Sequence, residues 1–173
     1  MEPVRFPIMG TGGLFIRKLR ATIEDKPTGF VWIEGDKLAG SGYPASQGQV
    51  RWLAEQGIKS IVTLTEQPLP EEWLQGAGLT SFHIPMGDHQ NPTMESLKQA
   101  VALIEAEVSR QRGVVVHCLA GQGRTGCVLA AYIVHSKRIG AGQSIIALRK
   151  LKPEFVESQQ ERAVFEYAKS EGI

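Results

Sequence analysis

One stretch of this chain places a cysteine, an arginine and several glycines close together, and these residue types suit phosphate chemistry. Residues 114–126 read Val-Val-Val-His-Cys-Leu-Ala-Gly-Gln-Gly-Arg-Thr-Gly. The β-branched run at 114–116 predicts a strand, the glycines predict a tight loop, and the apolar run at 127–133 predicts the start of a buried helix. Backbone N–H groups of such a loop and of the helix N-terminus converge on one point and attract an anion. A cysteine at that point is expected to be a thiolate, the nucleophilic form.

The spacing within this stretch is His-Cys-x₂-Gly-x₂-Arg-Thr, from His117 to Thr125. It resembles the signature of the cysteine-dependent protein tyrosine phosphatase superfamily, and in particular its small atypical dual-specificity branch. The resemblance extends from about Phe30 to Tyr167. It implies a protein phosphatase that hydrolyses phosphotyrosine, with phosphoserine and phosphothreonine as further substrates, through a phosphocysteine intermediate. A phosphorylated protein is therefore the expected partner, and no cofactor is expected.

Each residue type in the loop has an expected role in this reaction. Cys118 would attack phosphorus, and the planar fork of Arg124 would bind two phosphate oxygens. Thr125 would donate a hydrogen bond to the Cys118 sulfur, and His117 would orient the loop rather than act as a base. The glycines permit close approach of the backbone to the phosphate. Backbone N–H groups are expected to coordinate the equatorial oxygens, and they belong to Leu119, Ala120, Gly121, Gln122, Gly123 and Arg124.

The reaction also needs an acid that protonates the leaving oxygen, and the resemblance places it in the loop after Pro85. Small atypical relatives carry the aspartate directly after an Ile-Pro pair, where this chain has Met86. Tensin-like lipid phosphatases read Pro-x-x-Asp-His, which Asp88 and His89 match. Asp88 is the carboxylate of this loop and is predicted to be the general acid. Gln160 resembles the late glutamine of the family, which positions the water that hydrolyses phosphocysteine.

Strands and helices alternate along the chain, which predicts an α/β fold. The expected architecture is a central mixed β-sheet flanked by helices, a phosphatase-like α/β sandwich with the cysteine loop at the carboxyl end of a strand. Residues 1–28 are interpreted as an N-terminal arm and residues 29–173 as a single catalytic domain. The pattern predicts a hairpin turning at Gly35. It also predicts strands at 60–65, 79–85 and 114–116, and helices at 46–56, 70–76, 93–112, from 124, 143–151 and 159–170.

The bulk composition excludes several classes of partner. The net charge of +1 comes from scattered basic residues, which gives no electrostatic reason to expect nucleic acid. No apolar run reaches the ~18 residues of a membrane span, and no His, Cys or Asp cluster has the spacing of a metal site. The two cysteines are too few for a disulfide framework. They indicate a reducing, cytoplasmic location, and we expect a monomer.

The residues leave two alternatives to a protein phosphatase open and argue against a third. The Asp88-His89 pair leaves a phosphoinositide or other lipid phosphatase possible, although neutral Leu119 and Gln122 suit a single phosphate better. A phosphate-binding module with little turnover is the second alternative. Residues 121–126 also fit the dinucleotide pattern G-x-G-x-x-G, but the acid expected about 20 residues later is missing.

Cys127 is expected to pack in the core, with a resolving thiol for Cys118 as its alternative role.

Overall fold

The computed structural model describes residues 25–173. Most of the predicted N-terminal arm, at 1–24, lies outside the described residues. The strands are β1 (Val31–Glu34), β2 (Leu38–Ser41), β3 (Ile58–Thr63), β4 (Thr80–His83) and β5 (Gly113–His117). The helices are α1 (Gln47–Glu55), α2 (Glu71–Gln75), α3 (Met94–Ser109), α4 (Gly123–Lys137), α5 (Ala141–Leu151) and α6 (Glu161–Ser170), with a 3₁₀ turn at Ser158–Gln160.

The five strands form one mixed sheet in the order β1-β2-β5-β3-β4. The β1–β2 hairpin is antiparallel, while β2–β5, β5–β3 and β3–β4 are parallel. Strand β5 therefore lies at the centre, and its last residue, His117, pairs with Ser41 on one side and Thr63 on the other. The chain leaves the middle of the sheet at the carboxyl edge of four parallel strands, where open α/β sheets bind ligands.

Helices cover both faces of this sheet, because successive residues of a strand point to opposite sides. Val114 and Val116 of β5 join the larger core, which contains the buried residues of α3, α4, α5 and α6. Val115 joins the smaller core beneath α1 and α2. Helix α4 is buried nearly all round, as its apolar sequence predicts. The predicted α/β sandwich with a central mixed sheet is confirmed.

Side-chain caps set the starts of two helices. Ser46 Oγ accepts from the Gln49 N–H at 3.2 Å, and Thr93 Oγ1 accepts from the Ser96 N–H at 3.1 Å. Such caps satisfy an N–H group that has no partner within the helix. Along residues 25–173, none of the helices combines the length and apolar character that crossing a bilayer requires.

The end of α3 differs from the sequence prediction. The helix ends at Ser109 rather than near Arg112. Helical spacing from Leu97 and Val101 predicts that Val108 faces inward, but Val108 is only partly buried while Glu107 is buried. Two guanidinium groups compensate the buried carboxylate, since Arg112 Nε lies 2.8 Å from Glu107 Oε2 and Arg110 Nη1 lies 3.1 Å from Oε1. A charge becomes tolerable in the interior when it is paired and hydrogen-bonded in this way.

Candidate active site

The loop between β5 and α4 folds back on the sulfur of Cys118. Cys118 is buried, and the Gly121 N–H donates a hydrogen bond to its Sγ at 3.2 Å. Gly121 has φ +69°, and a Cβ there would come within 2.4 Å of the Ser41 carbonyl, so this position requires glycine. Helix α4 starts at Gly123. Its N-terminus carries a partial positive charge that attracts an anion to this loop.

Hydrogen bonds from the surrounding chain hold this loop by its carbonyl groups. The Tyr43 N–H donates to the Leu119 carbonyl at 3.1 Å, and Lys152 Nζ donates to the Gly121 carbonyl at 2.6 Å. The Gln122 carbonyl accepts from the Gly126 N–H at 2.8 Å. These contacts fix the backbone on which the phosphate-binding N–H groups are expected to lie, so the loop is preorganised for an anion.

Arg124 is buried in the first turn of α4, and three groups orient its guanidinium. Its Nη1 donates to the Met86 carbonyl at 2.9 Å and lies 3.3 Å from Glu66 Oε1. Its Nη2 lies 2.7 Å from Asp88 Oδ1. A buried guanidinium is stable only when its charge and its donors are satisfied in this way. The structure therefore brings Arg124, Asp88 and the loop of Cys118 together at one edge of the sheet.

Glu66 was not predicted as a site residue, although it follows β3 at the same sheet edge as Cys118. Its Oε1 accepts from the Asp88 N–H at 2.9 Å while the same carboxylate pairs with Arg124. Burial acts to raise the pKa of Glu66, but backbone hydrogen bonds and the Arg124 charge outweigh it and hold the pKa below its ordinary value. Glu66 is thus an anion that ties the acid loop to the arginine. Its position directly after a parallel strand was the available signal.

Cys118, Arg124 and Asp88 lie around one cavity of about 120 Å³. Its walls are formed by residues of the cysteine loop, the acid loop and the segment before α6, namely Asp88, His89, Cys118, Leu119, Ala120, Gly123, Arg124, Glu157 and Gln160. Typical ligand pockets measure ~300–1,000 Å³. A cavity of this size suits a small tetrahedral anion and leaves the rest of a substrate outside.

His117 lies beneath the loop rather than in the cavity wall. Its Nδ1 donates to the Cys118 carbonyl at 3.3 Å, so Nε2 is free to accept from Thr63 Oγ1 at 2.9 Å. Burial lowers the pKa of His117 to about 4, and the charges of Arg124 and His83 act in the same direction. A neutral imidazole with both nitrogens bonded agrees with the expected orienting role and leaves no basic nitrogen for catalysis.

We expect this histidine to make stability pH-dependent. Because the folded pKa of about 4 lies below the ordinary 6.5, the unfolded chain binds the proton more tightly. The stability contributed by neutral His117 is complete above pH 6.5 and is lost as pH falls through 4, by about 3 kcal/mol in total. Denaturant unfolding of the wild type and of His117→Asn across this range measures it. An identical pH dependence in both proteins would contradict the assignment.

The structure does not form the contact expected of Thr125. Its Oγ1 is buried and has no hydrogen-bond partner among residues 25–173, so it does not donate to Cys118 Sγ. Its Cγ2 instead lies 3.3 Å from the position of a Cβ at Gly40, which places the methyl group against β2. Only the backbone N–H of Gly121 reaches the sulfur within the described chain.

Gln160 lines the cavity, as expected of a residue that positions water. It is buried, and its Nε2 donates to the Gln90 carbonyl at 2.7 Å. Its Oε1 has no hydrogen-bond partner among the described residues. Since a carbonyl can only accept, the Gln90 contact fixes which end of the carboxamide is nitrogen. The free acceptor then lies beside Gly123 of the cysteine loop.

Cys127 is fully buried, and its Sγ lies 3.7 Å from the Gln160 carbonyl. Burial raises the pKa of its thiol to about 12, with further increases from Cys118 and Glu157. A thiol that stays protonated is a poor nucleophile, which favours the packing role. Both cysteines are free. In the described part of the chain, no group of three or more His, Cys, Asp or Glu side chains is placed to hold a metal ion.

Comparisons with a family model and with known proteins both point to phosphatases. A family model described as a polymorphic toxin system DSP-PTPase phosphatase matches residues 37–138. The tyrosine-protein phosphatase CDC14 of Saccharomyces cerevisiae is 23% identical over 142 residues, which cover 82% of this chain and 25% of CDC14. Mouse dual specificity protein phosphatase 12 is 30% identical over 118 residues, covering 68% of this chain and 34% of that protein. The chain therefore spans about a quarter to a third of the length of these relatives.

Solved structures share the fold. The active form of Tk-PTP superposes with a TM-score of 0.74 at 25% identity, covering 82% of this chain and 96% of that chain. PTPMT1 in complex with PI(5)P superposes with a TM-score of 0.73 at 19% identity, covering 82% of this chain and 95% of that chain, a likeness of fold alone. Because the family model covers more than half of the chain, the protein belongs to the DSP-PTPase phosphatases, as an atypical dual-specificity member of the cysteine-based protein tyrosine phosphatase superfamily.

Proposed function

We propose that residues 29–173 form a single catalytic domain that hydrolyses phosphotyrosine in proteins, and also phosphoserine and phosphothreonine, through a phosphocysteine intermediate. One observation carries this proposal. Cys118, Arg124 and Asp88 line the same cavity of about 120 Å³. A nucleophile, a fixed cation and an acid at one phosphate-sized site are the groups that phosphate monoester hydrolysis needs.

In the first step, the Cys118 thiolate attacks phosphorus and forms an S–P bond while the bond to the leaving oxygen breaks. Asp88 gives its proton to that oxygen. Arg124 and the N–H groups of residues 119–124 hold the three equatorial oxygens, where negative charge accumulates in the transition state. The alcohol or phenol then departs with the proton, and the phosphoryl group stays on sulfur.

Substrate binding must rearrange one contact in this site. Asp88 Oδ1 lies 2.7 Å from Arg124 Nη2, which is one of the two donors that a bidentate phosphate would use. A phosphate dianion would displace the carboxylate from the guanidinium. Its own charge, now close to Asp88, would favour the protonated acid. Binding and proton uptake are therefore linked in this proposal.

In the second step, water attacks phosphorus and the S–P bond breaks, which returns the thiolate and releases inorganic phosphate. The Asp88 carboxylate left by the first step accepts the proton of that water. Gln160 Oε1, buried and without a partner among the described residues, would accept a hydrogen bond from the same water. A buried acceptor without a donor is destabilising. A water bound at this position would supply the missing donor.

Asp88→Asn is expected to lower kcat by roughly 10²–10⁴-fold, because the amide keeps the size of the acid but cannot donate its proton to the leaving oxygen. The pH–rate profile of the wild type is expected to be bell-shaped, and this variant should lose the limb that belongs to the acid. Hydrolysis of p-nitrophenyl phosphate and phenyl phosphate across the pH range measures both effects. Full turnover by Asp88→Asn would refute the assignment.

A lipid phosphatase is the second candidate, favoured by the Asp88-His89 pair, which resembles tensin-like lipid phosphatases. The charges around the cavity favour a single phosphate, because Leu119 and Gln122 are neutral and Glu157 adds a carboxylate to the wall. A second phosphate of a head group would meet that carboxylate. Phosphotyrosine, phosphoserine and phosphothreonine peptides, assayed beside phosphoinositides with Cys118→Ser as the blank, separate the two classes. We expect the peptides to be hydrolysed faster.

A phosphate-binding module without turnover would use the same loop and Arg124. It predicts tight vanadate or phosphate binding with no hydrolysis of p-nitrophenyl phosphate that depends on Cys118. Our proposal predicts hydrolysis that the Cys118→Ser variant lacks. We also propose that the protein acts as a monomer. We place it in the reducing cytoplasm, since both cysteines are free and a thiolate nucleophile must stay reduced.

A further inference from the structure

The acid loop, residues 84–92, and the segment before α6 both contribute residues to the cavity wall. Two contacts join them. His89 Nδ1 lies 3.4 Å from Glu157 Oε2, and Gln160 Nε2 donates to the Gln90 carbonyl at 2.7 Å. Glu157 directly precedes the 3₁₀ segment at Ser158–Gln160 and Gln160 is its last residue; both line the cavity. The C-terminal part of the chain therefore holds the loop that carries Asp88.

The same loop is held on its other side by the sheet edge. The Met86 N–H donates to the Leu64 carbonyl at 3.0 Å, and the Asp88 N–H donates to Glu66 at 2.9 Å. Asp88 thus lies between two sets of contacts, one before it and one after it. Loops are normally the least stable part of a fold. A catalytic group on a loop needs such support on both sides to stay within reach of the reacting atom.

The backbone at His89 gives independent support for a functional contact. His89 has φ +54°, a left-handed conformation that is unfavourable for a non-glycine residue. Such conformations persist where surrounding contacts hold them, and they cluster at active sites. His89 also faces Asp88, with Nε2 at 3.8 Å from Asp88 Oδ2. The imidazole therefore lies between the acid and Glu157.

We propose that His89, Glu157 and Gln160 form a clasp that joins the acid loop to the segment before α6 and positions Asp88 for proton transfer. His89 and Glu157 are positioning residues, because they act on the leaving group through Asp88. This inference rests on the proposed phosphatase activity. It also gives Gln160 a second role. Its Nε2 holds the acid loop by donating to the Gln90 carbonyl, and this orientation of the carboxamide leaves Oε1 available to water. The contact that holds the acid loop therefore also orients that acceptor.

The dependence of kcat/KM on the leaving group distinguishes a positioning role of these residues from a merely structural one. Glu157→Ala and His89→Ala are expected to lower kcat/KM for phenyl phosphate by about three- to tenfold, with a smaller loss for p-nitrophenyl phosphate. A poor leaving group depends more on a well-placed acid. The double variant should lose no more than either single variant. Glu154→Ala is the matched control, because Glu154 lines the adjoining groove and not the cavity, and it should leave the ratio unchanged.

Hydrogen exchange of residues 86–92 tests the clasp without any turnover. We expect faster exchange in Glu157→Ala and His89→Ala, and unchanged exchange in Glu154→Ala. Unchanged exchange, or equal losses for both aryl phosphates, would overturn the clasp even if the protein is an active phosphatase. Absence of Cys118-dependent hydrolysis would instead overturn the proposed function, and the exchange result would then still decide whether the contacts hold the loop.

Discussion

Cys118→Ser is expected to reduce the hydrolysis of p-nitrophenyl phosphate to the uncatalysed rate, a loss of at least about 10³-fold. A serine hydroxyl needs a base to become a nucleophile. His117 is neutral, lies outside the cavity and has both nitrogens engaged. Asp88 serves as the acid of this step and is paired with Arg124. Neither His117 nor Asp88 is therefore placed to activate serine.

The same variant should still bind the phosphate analogue vanadate or inorganic phosphate. The loop is held by Tyr43 and Lys152 through its carbonyl groups, and neither contact involves the sulfur. Isothermal titration with phosphate provides this control for intact folding. Wild-type turnover in Cys118→Ser would contradict the nucleophile assignment, whereas loss of both binding and turnover would point to a disrupted loop and call for Cys118→Ala.

Arg124→Lys is expected to lower kcat by roughly 10²–10³-fold, the loss measured when a preorganised charge donor is removed. Lysine keeps the charge but cannot present two parallel N–H donors. It also cannot donate to the Met86 carbonyl and face both Glu66 and Asp88, as the guanidinium does. We therefore expect a lower unfolding temperature in addition to the loss of turnover, because two carboxylates would lose their shared partner.

Arg149→Lys is the matched control for this substitution. Arg149 donates to the Phe155 and Val156 carbonyls and pairs with Glu161, so it makes a similar set of contacts outside the cavity. We expect it to lower stability while kcat for p-nitrophenyl phosphate stays within about twofold of the wild type. Equal kcat losses in the two variants would mean that the Arg124 effect comes from the fold and not from the phosphate site.

The fold and the core of the site were predictable because their signals are local. A β-branched run, a glycine-rich loop and an apolar helix follow one another at 114–133, and short-range patterns of this kind determine strand, loop and helix. Caps such as Ser46 and Thr93 also act within three residues of themselves. The family motif then placed Cys118 and Arg124 at the carboxyl edge of the central strand.

Contacts between distant segments could not be predicted from such patterns. Glu66 pairs with Arg124 across 58 positions of sequence, and His89 meets Glu157 across 68. Sheet order and loop packing determine these pairs, and neither leaves a periodic trace. Side-chain rotamers are equally invisible in the sequence, so the expected bond from Thr125 to the sulfur could not be checked there. In the structure that bond is absent, and the Thr125 hydroxyl is buried without a partner in the described chain.

Helix α3 shows how burial can depart from periodicity. Val108 continues the predicted apolar stripe, yet Glu107 is the buried residue, since Arg110, Arg112 and Ser60 satisfy its carboxylate. Two of these partners lie in the turn after the helix. A pattern that scores hydrophobicity alone assigns such a glutamate to solvent, and only the tertiary pairing reverses that preference.

The phosphocysteine intermediate tests the central claim most directly. Asp88→Asn should slow the hydrolysis of the intermediate, because the same residue is proposed as the base for water. Rapid acid quenching after mixing this variant with p-nitrophenyl phosphate, followed by mass spectrometry, should find one phosphoryl group on the peptide that contains Cys118. Hydrolysis that proceeds without any phosphoryl group on that peptide, or with the group on another residue, would contradict the account.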